Sequence, residues 1–450
     1  MALFRRASSS VAALVLLLSA VACGSSSKSN AGANAGSGNT AGSGAVASGG
    51  ATNNENPVTI GIADGTDGTC LAANFLHTLG EHQFLIGGSV TDATAKVAPF
   101  DIRYLYISGA FNDGPAPCAS CASGCSTQGT TCANSGKGCA WWGCWQYDQD
   151  PPGAYVRGFV ATAQTNHQIP MITLYTILQA SGAKEGAGEV TAVADVAFMS
   201  KYFAQFRFLL QQLGSDVALL HLEPDFWGYA QQVNADPAQI PAAVATANAM
   251  DCGSQPNTIT GFASCLVDMT HHYAAKTKVS LHGSGWATGM DALSNNSAAL
   301  DVAGEAQKLA AFLKAAAPDA DFITIDASDR DAGWYKTQNR QTFWDATNAT
   351  LPNFKQAFTW SKALAEAAQK PVLWWQVPVG NMSLPNKDGQ WQDNRLDYFF
   401  AHLYEAAAAD AFGVAFGAGA GGQTTFETDG GHGISLVEAY AKTSGQAPCH

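Results

Sequence analysis

Positive charge is what this chain has least of. Its 450 residues hold 23 Lys and Arg against 36 Asp and Glu, a formal net charge of −13, and charged residues of both signs make up only 13%. A chain so poor in cations is a weak partner for nucleic acid or anionic lipid, whose binding depends on phosphate contacts. Lysine and arginine are also missing around Gly417-Ala-Gly-Ala-Gly-Gly422. That run therefore reads as a close-packed backbone turn and not as a phosphate cradle. Neither Gly-x-Ser-x-Gly nor His-Glu-x-x-His occurs, which removes the nucleophile elbow and the zinc-protease helix. After the first residues no apolar run is long enough to span a bilayer.

What the N-terminus does have is a leader. Arg5 and Arg6 precede an apolar run, Val11 to Val21, that ends in Ala20-Val21-Ala22-Cys23. A basic start, a short apolar stretch and small residues make an export signal over residues 1–22. The cysteine after the small residues resembles the lipobox of bacterial lipoproteins, with Ala20 where a leucine is usual. The resemblance implies cleavage before Cys23, lipid on that cysteine, and a domain held to a bacterial membrane, facing the cell surface or periplasm. Residues 23–56 are almost wholly Gly, Ser, Ala, Asn and Thr, a flexible tether that cannot bury a core. Residues 57–450 remain for one folded catalytic domain, expected as a monomer.

The cysteines agree with export. There are eleven, and with Cys23 set aside the rest are even in number, as a disulfide framework requires. Cys118, Cys121, Cys125, Cys132, Cys139 and Cys144 crowd one Gly-, Ser- and Thr-rich insertion, about residues 112–150, which has little apolar content to hold it. Cross-links are expected there; zinc on Cys118-x-x-Cys121 is the rival, without a nearby histidine. Cys252 and Cys265 are expected to pair across a short loop, and Cys70 with Cys449 would tie the ends of the domain; parity alone leaves the connectivity open.

Short apolar strands alternate with helical segments from Phe84 onward: Phe84–Gly87, Ile102–Ile107, Met171–Ile177, Val217–Glu223, Val279–His282, Phe322–Asp326, Val372–Gln376 and Phe412–Phe416. Eight such strands predict an α/β fold, a closed (β/α)8 TIM-type barrel, with the cysteine-rich insertion after strand two. Val196, Met199, Phe203, Phe206, Leu210 and Leu213 step by threes and fours, and Gly214 follows where a helix ends. Residues 303–317 and 353–369 carry the same helical spacing. An open doubly wound sheet is the alternative, but Gly87-Gly88-Ser89 falls short of its Gly-rich turn.

The stretch Val217-Ala-Leu-Leu-His-Leu-Glu-Pro-Asp225 is the centre of the functional reading. Period-2 geometry puts Leu219, His221 and Glu223 on one face, Pro224 ends the strand, and Asp225 lies just past it. Aligned by their tips, strands four to seven end in Glu223, His282, Asp326 and Gln376. Polar residues at the C-terminal ends of barrel strands predict chemistry there. Two carboxylates on nearby strands suit glycoside hydrolysis, with Glu223 as a buried general acid and Asp326 as nucleophile or base. Asp225 and Asp329 are further candidates for these roles. Rings of Trp142, Trp227, Tyr229, Trp286, Trp334 and Trp375 are candidate sugar platforms, joined by Trp141, Trp145, Tyr147 and Trp391 in rim loops. His282, Gln376, Asn381 and Arg395 would bond sugar hydroxyls, with Asn112, Gln179, Asp393 and Asn394 also available. A carbohydrate is the expected substrate and no cofactor is expected.

Leu222-Glu-Pro-Asp225 resembles two glycosidase signatures, the strand-ending Glu-Pro-Asp of family 6 cellulases and the Asn-Glu-Pro of clan A retaining glycosidases. The second resemblance implies Glu223 as acid, and its nucleophile would be a glutamate ending strand seven, where Gln376 stands. A pair on strands four and six is similar instead to retaining α-galactosidases and α-glucosidases, which use two aspartates. Two other functions fit the same residues. Glu223, His282 and Asp326, with His221 behind, could hold a divalent ion, and a tethered receptor could bind glycans without cleaving them.

Overall fold

A computed structural model describes residues 70–108, 111, 145–147 and 151–450. Cys23, the leader and tether, Asn112, the six clustered cysteines, Trp141 and Trp142 lie outside the described residues.

Eight strands close into a parallel barrel in chain order. They are β1 Leu85–Gly88, β2 Ile102–Ser108, β3 Ile169–Tyr175, β4 Ala218–Leu222, β5 Thr277–Gly283, β6 Phe322–Asp326, β7 Val372–Val377 and β8 Ala411–Phe416. Closure runs through β1 and β8, with Leu85 opposite Gly413 and Gly88 opposite Phe416. Strands buried on both faces explain the near-continuous apolar runs. Leu85, Tyr104, Met171, Leu219, Phe322, Leu373, Trp375 and Phe412 fill the inside as one cluster. The alternate residues, such as Leu220, Leu222, Leu281, Ile323 and Trp374, belong to the layer shared with the outer helices. The third strand ends two residues before its predicted limit, because Ile177–Ser181 turns into a short helix.

Helical spacing is realised where it was strongest. Val196–Leu213 forms a helix whose Asp195 carboxylate accepts from the Phe198 N–H, and Gly214 terminates it at φ 52°. It buries Met199, Tyr202, Phe203, Phe206, Leu210 and Leu213 against the barrel, each stabilising by about 1.5–3 kcal/mol relative to exposure. Val302–Ala316 and Phe354–Ala368 are the other two predicted helices. Cys70–Cys449 and Cys252–Cys265 are disulfides, the first joining residues 379 apart. The glycine run after β8 is close-packed: a Cβ at Gly419 would collide with the Gln376 amide and the Asp329 carbonyl. Among the described residues no helix is long and apolar enough to cross a membrane.

Candidate active site

The tip of β4 decides which carboxylates can meet. The Glu223 N–H makes a 2.7 Å bond to the Leu174 carbonyl on β3. Pro224 then ends the ladder, and the backbone turns through φ 44° at Glu223 and φ 69° at Asp225. Non-glycine residues enter this region only where their surroundings hold them. The turn breaks the period-2 alternation. Leu219 and His221 face inward, but Glu223 swings out between β3 and the helix Val196–Leu213.

There Glu223 is 1% exposed. Its Oε2 accepts from the Thr176 and Ile177 N–H groups at 2.9 and 3.1 Å, and its Oε1 from the Tyr202 hydroxyl at 2.9 Å. Burial pushes its carboxyl up to about 7 against the pull of these donors. This departs from the expectation that Glu223 faces Asp326, for both its oxygens are taken by the backbone just past β3 and by Tyr202 of the helix Val196–Leu213. The metal set of Glu223, His282 and Asp326 is separated by the same turn. Among the described residues the one gathering of three metal-type donors is Cys70, Asp410 and Cys449, whose sulfurs are joined to each other.

The same turn delivers Asp225 to the mouth. It is half-buried, and its carboxyl is pushed up to about 7, first by desolvation and then by Asp326, Glu185 and Asp329, with His282 opposing. Asp326 ends β6 with its side chain 21% exposed, and its Oδ1 lies 3.1 Å from His282 Nε2. Asp329, in the loop after β6, accepts from the Tyr335 hydroxyl and lies 3.5 Å from Arg330 Nε. Gln376, turned by φ 55°, accepts from the Tyr106 hydroxyl. Trp375 is the floor, its ring 5.4 Å from Tyr106 and 5.8 Å from His282.

Aromatic walls stand beside these carboxylates. Tyr229 packs on Trp286 with ring centres 4.7 Å apart, both half-buried. Gly228 lets the Trp286 ring lie against the helix Phe226–Val233. Trp334 lies under the Arg330 guanidinium at 4.2 Å.

Three other expected sugar contacts are structural. Trp227 is fully buried, donates to the Leu222 carbonyl at 2.8 Å and stacks on Phe262. Arg395 is 1% exposed, paired with Asp393 at 2.7 Å and lying over Trp344. Asn381 is 3% exposed and ties the Asp429 carbonyl to the Ser383 N–H. Each is consumed by packing that a place in the segments after the strands does not reveal. Trp391, also read as a rim ring, is buried with its indole N–H on the Gly422 carbonyl.

Sequence reasoning passed over Tyr106, Tyr175 and Glu189. Tyr106 and Tyr175 sit on inward positions of β2 and β3, and their rings are 6.5 Å apart. Glu189 is pushed up to about 8, chiefly by burial and further by Asp225 and Glu223. The tyrosines could have been found by extending the inward alternation to strands without carboxylates.

No family model and no curated protein matches the chain. Solved structures similar to it include a glycoside hydrolase family 5 enzyme from Prevotella bryantii at 9% identity and TM-score 0.40. That match covers 80% of this chain and 98% of the other. Endo-glycoceramidase II from Rhodococcus matches at 10% and 0.39, covering 79% and 78%. Pyruvate carboxylase from Rhizobium etli matches at 12% and 0.37, covering 82% of this chain and 27% of that one. With TM-scores this far below 0.5, these likenesses carry no chemistry to this chain.

Proposed function

We propose that this protein hydrolyses glycosidic bonds with Asp225 as the proton donor and Asp326 as the nucleophile or base. One observation carries the reading: at the barrel mouth two carboxyl groups stand within electrostatic reach, one raised to about 7 and the other held by an imidazole. An acid that keeps its proton near neutrality can protonate a leaving oxygen, while a carboxylate held by a hydrogen-bond donor meets the developing positive charge at the sugar carbon. Tyr229, Trp286 and Trp334 offer faces for the apolar side of a pyranose, with the Gln376 amide and Asp329 beside them for its hydroxyls. The enzyme is further proposed to act alone, exported and held outside the cytoplasm through lipid on Cys23. Two disulfides among the described cysteines support an oxidising compartment.

The test is turnover on a panel of polysaccharides and oligosaccharides by the purified protein and its variants. D225N and D326N should each lower kcat by about 100-fold or more. The alkaline limb of kcat should fall near pH 7, because Asp225 acts only while protonated and loses its proton as pH rises through about 7. Turnover that survives both variants would sink the assignment. Glycan binding with no turnover in the wild type would make this a receptor instead.

A further inference from the structure

Beneath Asp326 a file of hydrogen-bonded side chains runs through the barrel. Thr173 Oγ1 is 3.2 Å from His221 Nδ1, His221 Nε2 is 3.0 Å from His282 Nδ1, and His282 Nε2 is 3.1 Å from Asp326 Oδ1. One member comes from each of β3, β4, β5 and β6. Thr173, His221 and His282 are at most 1% exposed, and the Trp375 ring closes the side of the file 4.5 Å from His221. A histidine kept only for packing needs one partner. Here each ring has both nitrogens engaged, and the file ends on a carboxylate at the mouth.

The protons in this file are directed. An ionised Asp326 oxygen can only accept, so His282 Nε2 donates to it. A neutral imidazole has one N–H, so with neutral rings His282 Nδ1 accepts and His221 Nε2 donates. His221 Nδ1 then accepts from the Thr173 hydroxyl. Burial, with His282 alongside, holds His221 well below the ordinary imidazole range, so it has a single N–H to place. The other titratable groups near Asp326 are Asp225 beyond β4, Asp329 beyond β6 and Tyr106 on β2, with Arg330 paired to Asp329. Of these groups, none is in hydrogen-bond contact with Asp326 as His282 is.

We propose that His221 and Thr173 are positioning residues for the reaction, acting through His282 to hold Asp326 in one orientation. The proposal rests on reading Asp326 as the base or nucleophile. The full-length chain carrying H221F, H221Q, T173V or D326N is assayed on a glycan that the wild type cleaves. H221F should lower kcat by about 10–100-fold, as loss of an orienting partner does, with KM changed less than about 3-fold. Its acid limb should move to higher pH, because a weakened donor favours the protonated carboxyl. T173V should move both in the same direction by less, and H221Q, whose amide can still donate to His282, should recover part of the loss.

Wild-type kcat and acid limb in H221F and T173V, with D326N inactive, overturn the positioning role and leave the hydrolase reading standing. An active D326N overturns the role given to Asp326, and with it the positioning role that rests on it. Should H221F fail to fold, T173V decides together with 15N-histidine NMR of the wild type, where the His221 signal is the one missing from H221Q. An Nε2–H tautomer at His221 is expected, and an Nδ1–H tautomer overturns the proposal.

Discussion

Glu223 and Asp225 are two residues apart and do opposite things because each is placed by a positive φ. Glu223 ends in a closed cage of two backbone N–H groups and one tyrosine hydroxyl, which joins the end of β3 to the tip of β4 and to the helix outside them. The cage is a stability device and can be tested as one. Y202F removes a donor to a buried carboxylate, a loss of about 1.5–3 kcal/mol when the acceptor is charged. Glu223 is protonated below about 7 and charged above it, so the Tm loss of Y202F should be larger at pH 8 than at pH 5. Equal losses at both pH values would show that Glu223 never becomes a buried charge. Neither the cage nor the outward swing is legible in Leu222-Glu-Pro-Asp225, since alternation extended past a proline assumes an extended backbone that the chain abandons.

The helix Phe226–Val233 carries the consequences of that turn to the next scale. It opens directly after Asp225, sends Trp227 into the core and leaves Tyr229 at the rim. Sequence alone offered both rings as platforms; the 3.6-residue period separates them once the helix is placed. Gly228 is the residue of this helix that matters for the wall. A Cβ there would stand 2.9 Å from two carbons of the Trp286 ring and 3.2 Å from Ser284 Oγ. G228A should therefore displace Trp286 and raise KM by about 2–10-fold, the scale of one aromatic contact. The kcat should stay within about 2-fold, and alanine's helix preference of about 1 kcal/mol should keep Tm from falling far. A variant with unaltered KM on every active glycan would remove Trp286 from the binding surface.

Across the whole molecule, acid groups held above their usual range set the response to pH. Glu223, Asp225 and Asp331 are raised to about 7 and Glu189 to about 8, chiefly by burial. Each binds its proton more tightly folded than unfolded. The stability this contributes is complete below about pH 4 and is lost as pH rises through 7 to 8. The lowered carboxyls, Asp251, Glu305, Asp321 and Asp345, act below that window, and His221, held low, contributes one opposing slope within it. Tm should thus fall by at least about 2 °C from pH 5 to pH 8, and D225N should flatten the slope. A Tm that rises across this interval would contradict the protonation of these groups, and scanning fluorimetry at fixed salt reads it directly.

By itself, the sequence determined the barrel, the limits of its strands to within about two residues, the three strongest helices and an even set of cysteines, whose pairing it left open. Those features follow from local apolar runs, 3.6-residue spacing, caps and cysteine parity, each written into neighbouring residues. The tertiary structure alone decided which polar tips meet. It turned Glu223 away, brought Asp225 within electrostatic reach of Asp326, buried Trp227 and Arg395, and assembled the Thr173–His221–His282 file from three strands. Backbone turns past a strand end and contacts between strands far apart in the chain depend on closure of the barrel, and no short stretch of residues encodes that closure.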